Sequence, residues 1–283
     1  MFNYSGWEML GHFGFTFRTH GINVVLNMFF GTAINAAANI ATTVQSTLMM
    51  FTNNVTTAIK PQIIKRYATN QFNEMSSLIY TGIKLNLFIS LILSIPVITC
   101  MDYILTLWLK NVPGYCAAFC KIMLYSNIIS SISHIVYTGI QATGDLKITS
   151  IVRNILYIGS PIITYIIFTF CKVPPTLAYI VILSSQALLS ITDILILCNK
   201  IESISIKYIF LILMKVIFSI IVVFFIDYYV KELVNNQLLE LIIVLFITII
   251  VLFIMFYIIV LNNIEKEVIY KIVKGIYNKI SRK

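Results

Sequence analysis

Eight apolar stretches, each long enough to cross a lipid bilayer, dominate this sequence. A spanning helix needs about 20 mostly apolar residues, because the hydrocarbon core is about 30 Å thick and each helical residue rises about 1.5 Å. Closed barrels could also satisfy the backbone in lipid, but their strands would alternate over about ten residues, and these runs do not. The sequence therefore predicts an all-α, polytopic membrane protein with about eight transmembrane helices. We place them near 5–30, 33–59, 75–100, 114–142, 148–170, 175–198, 206–230 and 238–262.

The composition excludes a soluble protein. Of 283 residues, 59% are hydrophobic and 11% are charged, whereas soluble domains carry about 45–50% apolar and about 25% charged residues. The net charge of +9 would ordinarily favour nucleic acid as a partner. The basic residues lie mainly between the apolar runs, however, so we expect membrane lipids and no nucleic acid.

The distribution of basic residues predicts the orientation, because loops that stay in the cytoplasm retain Lys and Arg. With residue 1 inside, the cytoplasmic segments hold thirteen basic residues, Arg153 among them, against three outside, Lys110, Lys172 and Lys231. An even number of spans returns the C-terminus to the same side. We expect both termini in the cytoplasm.

Polar residues form lengthwise stripes on three of the predicted helices. At about 100° per residue, the members of each stripe fall within a narrow arc. The stripes are Asn35, Asn39, Thr42, Ser46, Asn53, Thr57 and Lys60 on the second helix, Glu8, His12, Thr16, Thr19, Asn23 and Asn27 on the first, and Asn127, Ser130, His134 and Gln141 on the fourth. Two interpretations stay open, a shared hydrated cavity and hydrogen bonds that join helices.

Arg18 lies near the middle of the first predicted span, where its charge must be paired or hydrated. It projects from the face that carries Gly11, Gly14 and Gly21, which suggests a cavity on one side of this helix and a missing partner on the other. A planar, permanently charged guanidinium suits phosphate or pyrophosphate. The histidines lack an acidic partner at ligand spacing, so we predict hydrogen-bonding roles for them and neither a metal nor a cofactor.

Three segments resemble a known family: Ser5-Gly6-Trp7 leading into the run 21–31, the segment 59–68, and the segment 141–147. Together they look like bacterial polysaccharide exporters, and more closely like the Wzx-type O-antigen flippases, which move lipid-linked oligosaccharides within the multidrug/oligosaccharidyl-lipid/polysaccharide superfamily. The resemblance covers roughly residues 3–200.

The resemblance implies a second six-helix bundle at 1–200. The two additional helices at 201–262 match the family only in hydropathy. Apolar residues that repeat against lysines at 263–283 predict a basic cytoplasmic tail, which is either an amphipathic helix on anionic lipid or a solvated segment. The resemblance also implies that a first bundle is missing, and that the complete protein alternates access at the bacterial inner membrane to carry a polyprenyl pyrophosphate oligosaccharide. The residues expected to line its cavity are Arg18, Asn23, Asn27, Asn35, Asn39, Asn53, Lys60, His134 and Gln141.

Two other functions stay open. A cation-coupled drug or metabolite exporter of the same superfamily would rely on acids in the membrane, and here only Glu8, Asp193 and Asp227 lie in or beside spans. A membrane-embedded enzyme of the same pathway would need a nucleophile or a general base, and no histidine–carboxylate pair supplies one.

Overall fold

The computed structural model describes residues 2–234, 236–267, 270, 271 and 274. Throughout these residues the regular structure is helical and no strand occurs, so the predicted all-α class is confirmed. The helices are α1 (Phe2–Ala68), α2 (Phe72–Thr99), α3 (Met101–Trp108), α4 (Cys116–Ala142), α5 (Lys147–Phe170), α6 (Thr176–Lys200), α7 (Ile206–Leu233) and α8 (Gln237–Met255), which a π-helix extends over Phe256–Val260.

Helix α1 contains both of the first two predicted spans and folds back on itself at Gly31. Gly31 has φ 80° and ψ −176°, a conformation that is essentially restricted to glycine. Asn23 and Asn39, each eight residues from the bend, meet through a hydrogen bond of 3.4 Å between Nδ2 and Oδ1. In a straight helix they would be about 24 Å apart. The described part has seven candidate spanning helices when α1 is counted once. Counted as its two halves, α1 brings the number to the eight predicted spans.

The second predicted span, 33–59, ends too early. The helix continues through Pro61 to Ala68 and ends just beyond Lys65 and Arg66. Proline removes only its own N–H donor from the helix, and the two basic residues favour the C-terminal turn because the carbonyl end of the helix dipole is negative.

The first compact unit, Met1–Lys207, is a helical bundle. Within it, α1 packs against α2, α4 and α5, and α4 also packs against α2 and α6. Glycines permit close approach: a Cβ at Gly14 would lie 3.3 Å from Cα of Asn154, and one at Gly21 would lie 3.0 Å from Cβ of Pro161. This glycine face of α1 therefore packs on α5 of the same bundle, and the expected missing partner on that face is wrong.

The second compact unit, Tyr208–Lys283, contains most of α7 and all of α8. Its exposed surface in the spans is largely apolar, whereas Asp227 is 1% exposed and accepts hydrogen bonds of 3.2 and 3.3 Å from Thr248. Most of the predicted tail at 263–283 lies outside the described residues. The division into functional domains stays a prediction.

Candidate functional site

A polar cavity of about 330 Å³ lies inside the first unit. Helix α1 supplies residues to it from both sides of the bend, and α4, α5 and α6 complete the wall. The lining residues are Glu8, Gly11, His12, Phe15, Arg18, Gln45, Met49, Asn53, Ser130, Ser133, His134, Tyr137, Arg153, Tyr157 and Gln186. Three predicted site residues are thus brought together here, namely Arg18, Asn53 and His134.

Arg18 is the most deeply placed charge from α1 in this cavity. It is 7% exposed, its Cζ lies 4.6 Å from the centre of the Tyr157 ring, and its Nη1 donates to Oε1 of Gln186 at 3.5 Å. No carboxylate among the described residues forms an ion pair with it. The guanidinium is therefore buried with aromatic and amide neighbours, and its positive charge is not neutralised by the bundle.

Arg153 is a second guanidinium on the same cavity, and sequence reasoning missed it. It was counted among the basic residues of the cytoplasmic segments, whereas the structure places it within α5 and on the cavity wall. Its Nη2 pairs with Oδ2 of Asp193 on α6, and its Cζ lies 3.9 Å from the centre of the Tyr137 ring. The signal that could have found this pair is one basic and one acidic residue in neighbouring predicted spans, because charged residues within spans usually pair with one another.

Glu8 and Gln141 join α1 to α4 beside the cavity. Nε2 of Gln141 donates to Oε1 of Glu8 at 2.9 Å, so this predicted site residue holds a lining carboxylate without lining the cavity itself. Glu8 is ten residues before Arg18, a separation of about 15 Å along the helix. The carboxylate therefore does not neutralise the deeper guanidinium. Among the described residues, no cluster of side chains could hold a metal ion.

The remaining predicted residues lie along the open side of α1 and outside the cavity lining. Asn23 and Asn39 bond to each other, Asn27 and Asn39 are exposed, and Asn35 and Lys60 are half-buried. The opposite face of the second half of α1 is packed, with Ala37 and Ala41 each 0% exposed. The polar stripe is thus exposed at Asn39 and Ser46, whereas Asn53, nearer its end, lines the cavity.

A larger depression of about 590 Å³ lies between α1 and α5 and has a different character. Its wall is mainly aromatic and aliphatic, with Phe13, Phe17 and Tyr165 among its members. An outward apolar surface of this kind suits contact with hydrocarbon, so we place the polar chemistry in the smaller cavity.

A bundle of long apolar helices around a cavity that holds two arginines defines this chain as a multi-pass membrane protein. Comparison with known families matches residues 9–169 to MatE, which is more than half of the 283 residues. The chain belongs to the MatE family, and it is therefore a membrane transporter and not an enzyme. No curated protein and no solved structure matches it.

Proposed function

We propose that this transporter carries a polyprenyl pyrophosphate-linked oligosaccharide across the bacterial inner membrane, with both termini in the cytoplasm. The proposal depends on Arg18, which lies on the wall of a polar cavity. Its guanidinium is buried and has no carboxylate partner in the described part of the chain. A buried charge is costly unless it is paired. An anionic substrate supplies the missing charge.

The exposed polar stripe of α1 supports a glycan as the rest of the cargo. Its amides and hydroxyls, such as Asn39 and Ser46, can exchange hydrogen bonds with sugar hydroxyls. Moving a glycan through hydrocarbon without such groups would leave many hydroxyls unsatisfied, each costing on the order of 2–7 kcal/mol. The polyprenyl tail can stay in lipid while the headgroup follows the polar surface.

We further propose that a second helical bundle faces the stripe, either within a longer chain or as another subunit. Alternating access needs two bundles that rock around a shared site. The polar side chains on the outer face of α1 supply one wall of that passage. Asn27, Asn35, Asn39 and Lys60 would then contact the headgroup and sugars from this bundle.

The cation-coupled drug exporter receives less support from the acids in the membrane. Asp193 is paired with Arg153, and Asp227 accepts hydrogen bonds from Thr248. Glu8 is held by Gln141. A cationic drug would also meet the uncompensated charge of Arg18, and like charges repel strongly where the dielectric constant is low.

Binding to the purified full chain tests the proposed substrate. We expect a polyprenyl pyrophosphate oligosaccharide to bind, and Arg18→Gln to weaken its affinity about tenfold or more, because a charge-assisted contact is lost. Lys121→Gln is the matched control, since Lys121 pairs with Asp102 at 2.9 Å, outside the cavity lining. Binding of cationic drugs without binding of the lipid-linked glycan would refute the proposal.

A further inference from the structure

We propose that Arg153 is a second ligand for the substrate's phosphate groups, and that Asp193 occupies its place while the cavity is empty of anion. On binding, Arg153 exchanges the carboxylate of Asp193 for an anion oxygen, and both guanidiniums then hold one pyrophosphate. The inference rests on the proposed function only for the identity of the anion. The exchange itself rests on the geometry of Arg18, Arg153 and Asp193.

The Arg153–Asp193 pair is incomplete as a structural ion pair. It forms through Nη2 and Oδ2, whereas Nε of Arg153 has no hydrogen-bond partner in the described part of the chain. A buried pair offsets the loss of hydration only when its remaining donors and acceptors are also satisfied. The present contact therefore leaves the guanidinium with unused donors that another anion can occupy.

Arg153 can turn from Asp193 toward the cavity. Its side chain is 15% exposed, whereas that of Asp193 is 1% exposed, so the arginine faces the open space and the acid lies behind it. Cζ of Arg153 lies 3.9 Å from the centre of the Tyr137 ring, and this cation–π contact can persist while the guanidinium changes partner. The exchange thus requires no movement of a helix.

The two guanidiniums line the same part of the cavity, beside Tyr157. Arg153 and Tyr157 are four residues apart on α5 and therefore lie on one face, about one turn apart. Arg18 stacks on that same Tyr157 at 4.6 Å. The 330 Å³ cavity has room for a pyrophosphate and its waters, since about 10–15 Å³ of such space already holds one water.

The exchange leaves Asp193 as a buried carboxylate without its counter-charge, and such a group takes up a proton rather than stay ionised. The proton comes from the bulk solution through water in the cavity, so anion binding is accompanied by uptake of one proton. The charged and titratable groups that line the cavity around this site are Glu8, His12 and Arg18 on α1, His134 and Tyr137 on α4, and Arg153 and Tyr157 on α5.

Carbodiimide labelling of the wild-type full chain tests the exchange, because a membrane-permeable carbodiimide reacts with protonated carboxyl groups in apolar surroundings. We expect inorganic pyrophosphate or farnesyl pyrophosphate to increase labelling of Asp193 severalfold, measured by peptide mass spectrometry. Asp227, another buried acid at 1% exposure, serves as an internal control and should not change. Unchanged or reduced labelling of Asp193 would overturn the inference.

Variants and alternative anions separate this inference from the proposed function. Arg153→Lys should weaken pyrophosphate binding about tenfold, because a lysine ammonium cannot make the planar two-donor contact. Labelling that responds to inorganic pyrophosphate alone supports the exchange but contradicts a lipid-linked substrate. A response to farnesyl pyrophosphate and not to phosphatidylglycerol supports both. An equal response to phosphatidylglycerol contradicts recognition of pyrophosphate.

Discussion

Two arginines on one cavity wall have opposite electrostatic surroundings. Arg18 has no acidic partner among the described residues, whereas Arg153 neutralises the buried carboxylate of Asp193. A buried charge without a counter-charge lowers stability, and breaking a buried pair leaves the other partner uncompensated. Removing Arg18 and removing Arg153 should therefore change the free energy of unfolding in opposite directions.

We predict that Arg18→Met raises the free energy of unfolding by about 1 kcal/mol, because an apolar side chain replaces an uncompensated buried charge. Arg153→Met should lower it by about 3 kcal/mol, because the carboxylate of Asp193 loses its partner. Denaturation of both variants in the same detergent measures the two effects. Equal losses in both variants would mean that an undetected group neutralises Arg18.

Sequence reasoning reached Arg18 but not Arg153 for a physical reason. The depth of Arg18 follows from its place in an apolar run, since no side chain reaches either interface easily from mid-span. Arg153 lies only about 9 Å into its helix, where an arginine that reaches the interface and an arginine in an ion pair have the same local sequence. Only the packing of α5 against α6, which brings it to Asp193, distinguishes them.

At the scale of single helices, the length of α1 determines its shape. Its 67 residues would extend about 100 Å if straight, about three times the thickness of the hydrocarbon core. The helix must therefore bend to keep its apolar residues in lipid. Gly31 supplies the bend, because its φ of 80° lies in a region where other residues are strained.

We predict that Asn23→Cys combined with Asn39→Cys forms a disulfide under mild oxidation, since the native side chains are 3.4 Å apart. Asn27→Cys with Thr43→Cys is the matched control, because it has the same separation in sequence but unequal distances from Gly31. Gel electrophoresis of a protein cleaved between the cysteines measures both. Cross-linking of the control pair alone would show that the bend lies elsewhere.

A substitution of Gly31 tests the conformation of the bend itself. Gly31→Ala should lower the free energy of unfolding by about 1–3 kcal/mol, because a Cβ is strained at this φ and ψ. Gly159→Ala is its control, since no atom lies within 4 Å of the added Cβ and alanine favours the helix. Thermal unfolding compares the two variants. A Gly31→Ala protein as stable as the control would contradict the strained bend.

The apolar runs predicted the helices well and their irregularities poorly. Helices α2, α4, α5 and α6 begin and end within a few residues of the predicted spans, because the run of apolar residues and the bilayer thickness fix both ends. Sequence reasoning missed the eight-residue α3, because only Cys100 separates it from α2 and no run of polar residues marks the boundary. The second half of α1 extends beyond its predicted span through Pro61, because neighbouring helices can compensate for a proline within a span.

At the scale of the whole molecule, packing within the bundle does not explain why polar residues of the α1 stripe are exposed. Asn39 and Ser46 are exposed, while Ala37 and Ala41 on the opposite face are fully packed. Hydroxyls along the stripe, such as that of Ser46, bond to carbonyls of their own helix, which reduces their cost in lipid. The amide of Asn39 has few such partners. Its exposure therefore favours water over lipid along this surface.

We predict that cysteines at this surface react with a water-soluble maleimide in intact membranes. Asn39→Cys and Ser46→Cys should be modified, because thiols in a hydrated passage can ionise and meet the reagent. Ile155→Cys is the matched control: Ile155 is 65% exposed on α5, but it lies on an apolar face that lipid should cover. Mass spectrometry of the labelled protein gives the extent of modification at each position.

Equal protection of all three cysteines would mean that lipid or a tightly packed helix covers the stripe, and the passage for a glycan would have no wall on this bundle. Labelling of Ile155→Cys alone would place the water on the wrong face of the bundle, and the second bundle would then have to be sought against α5 rather than against α1.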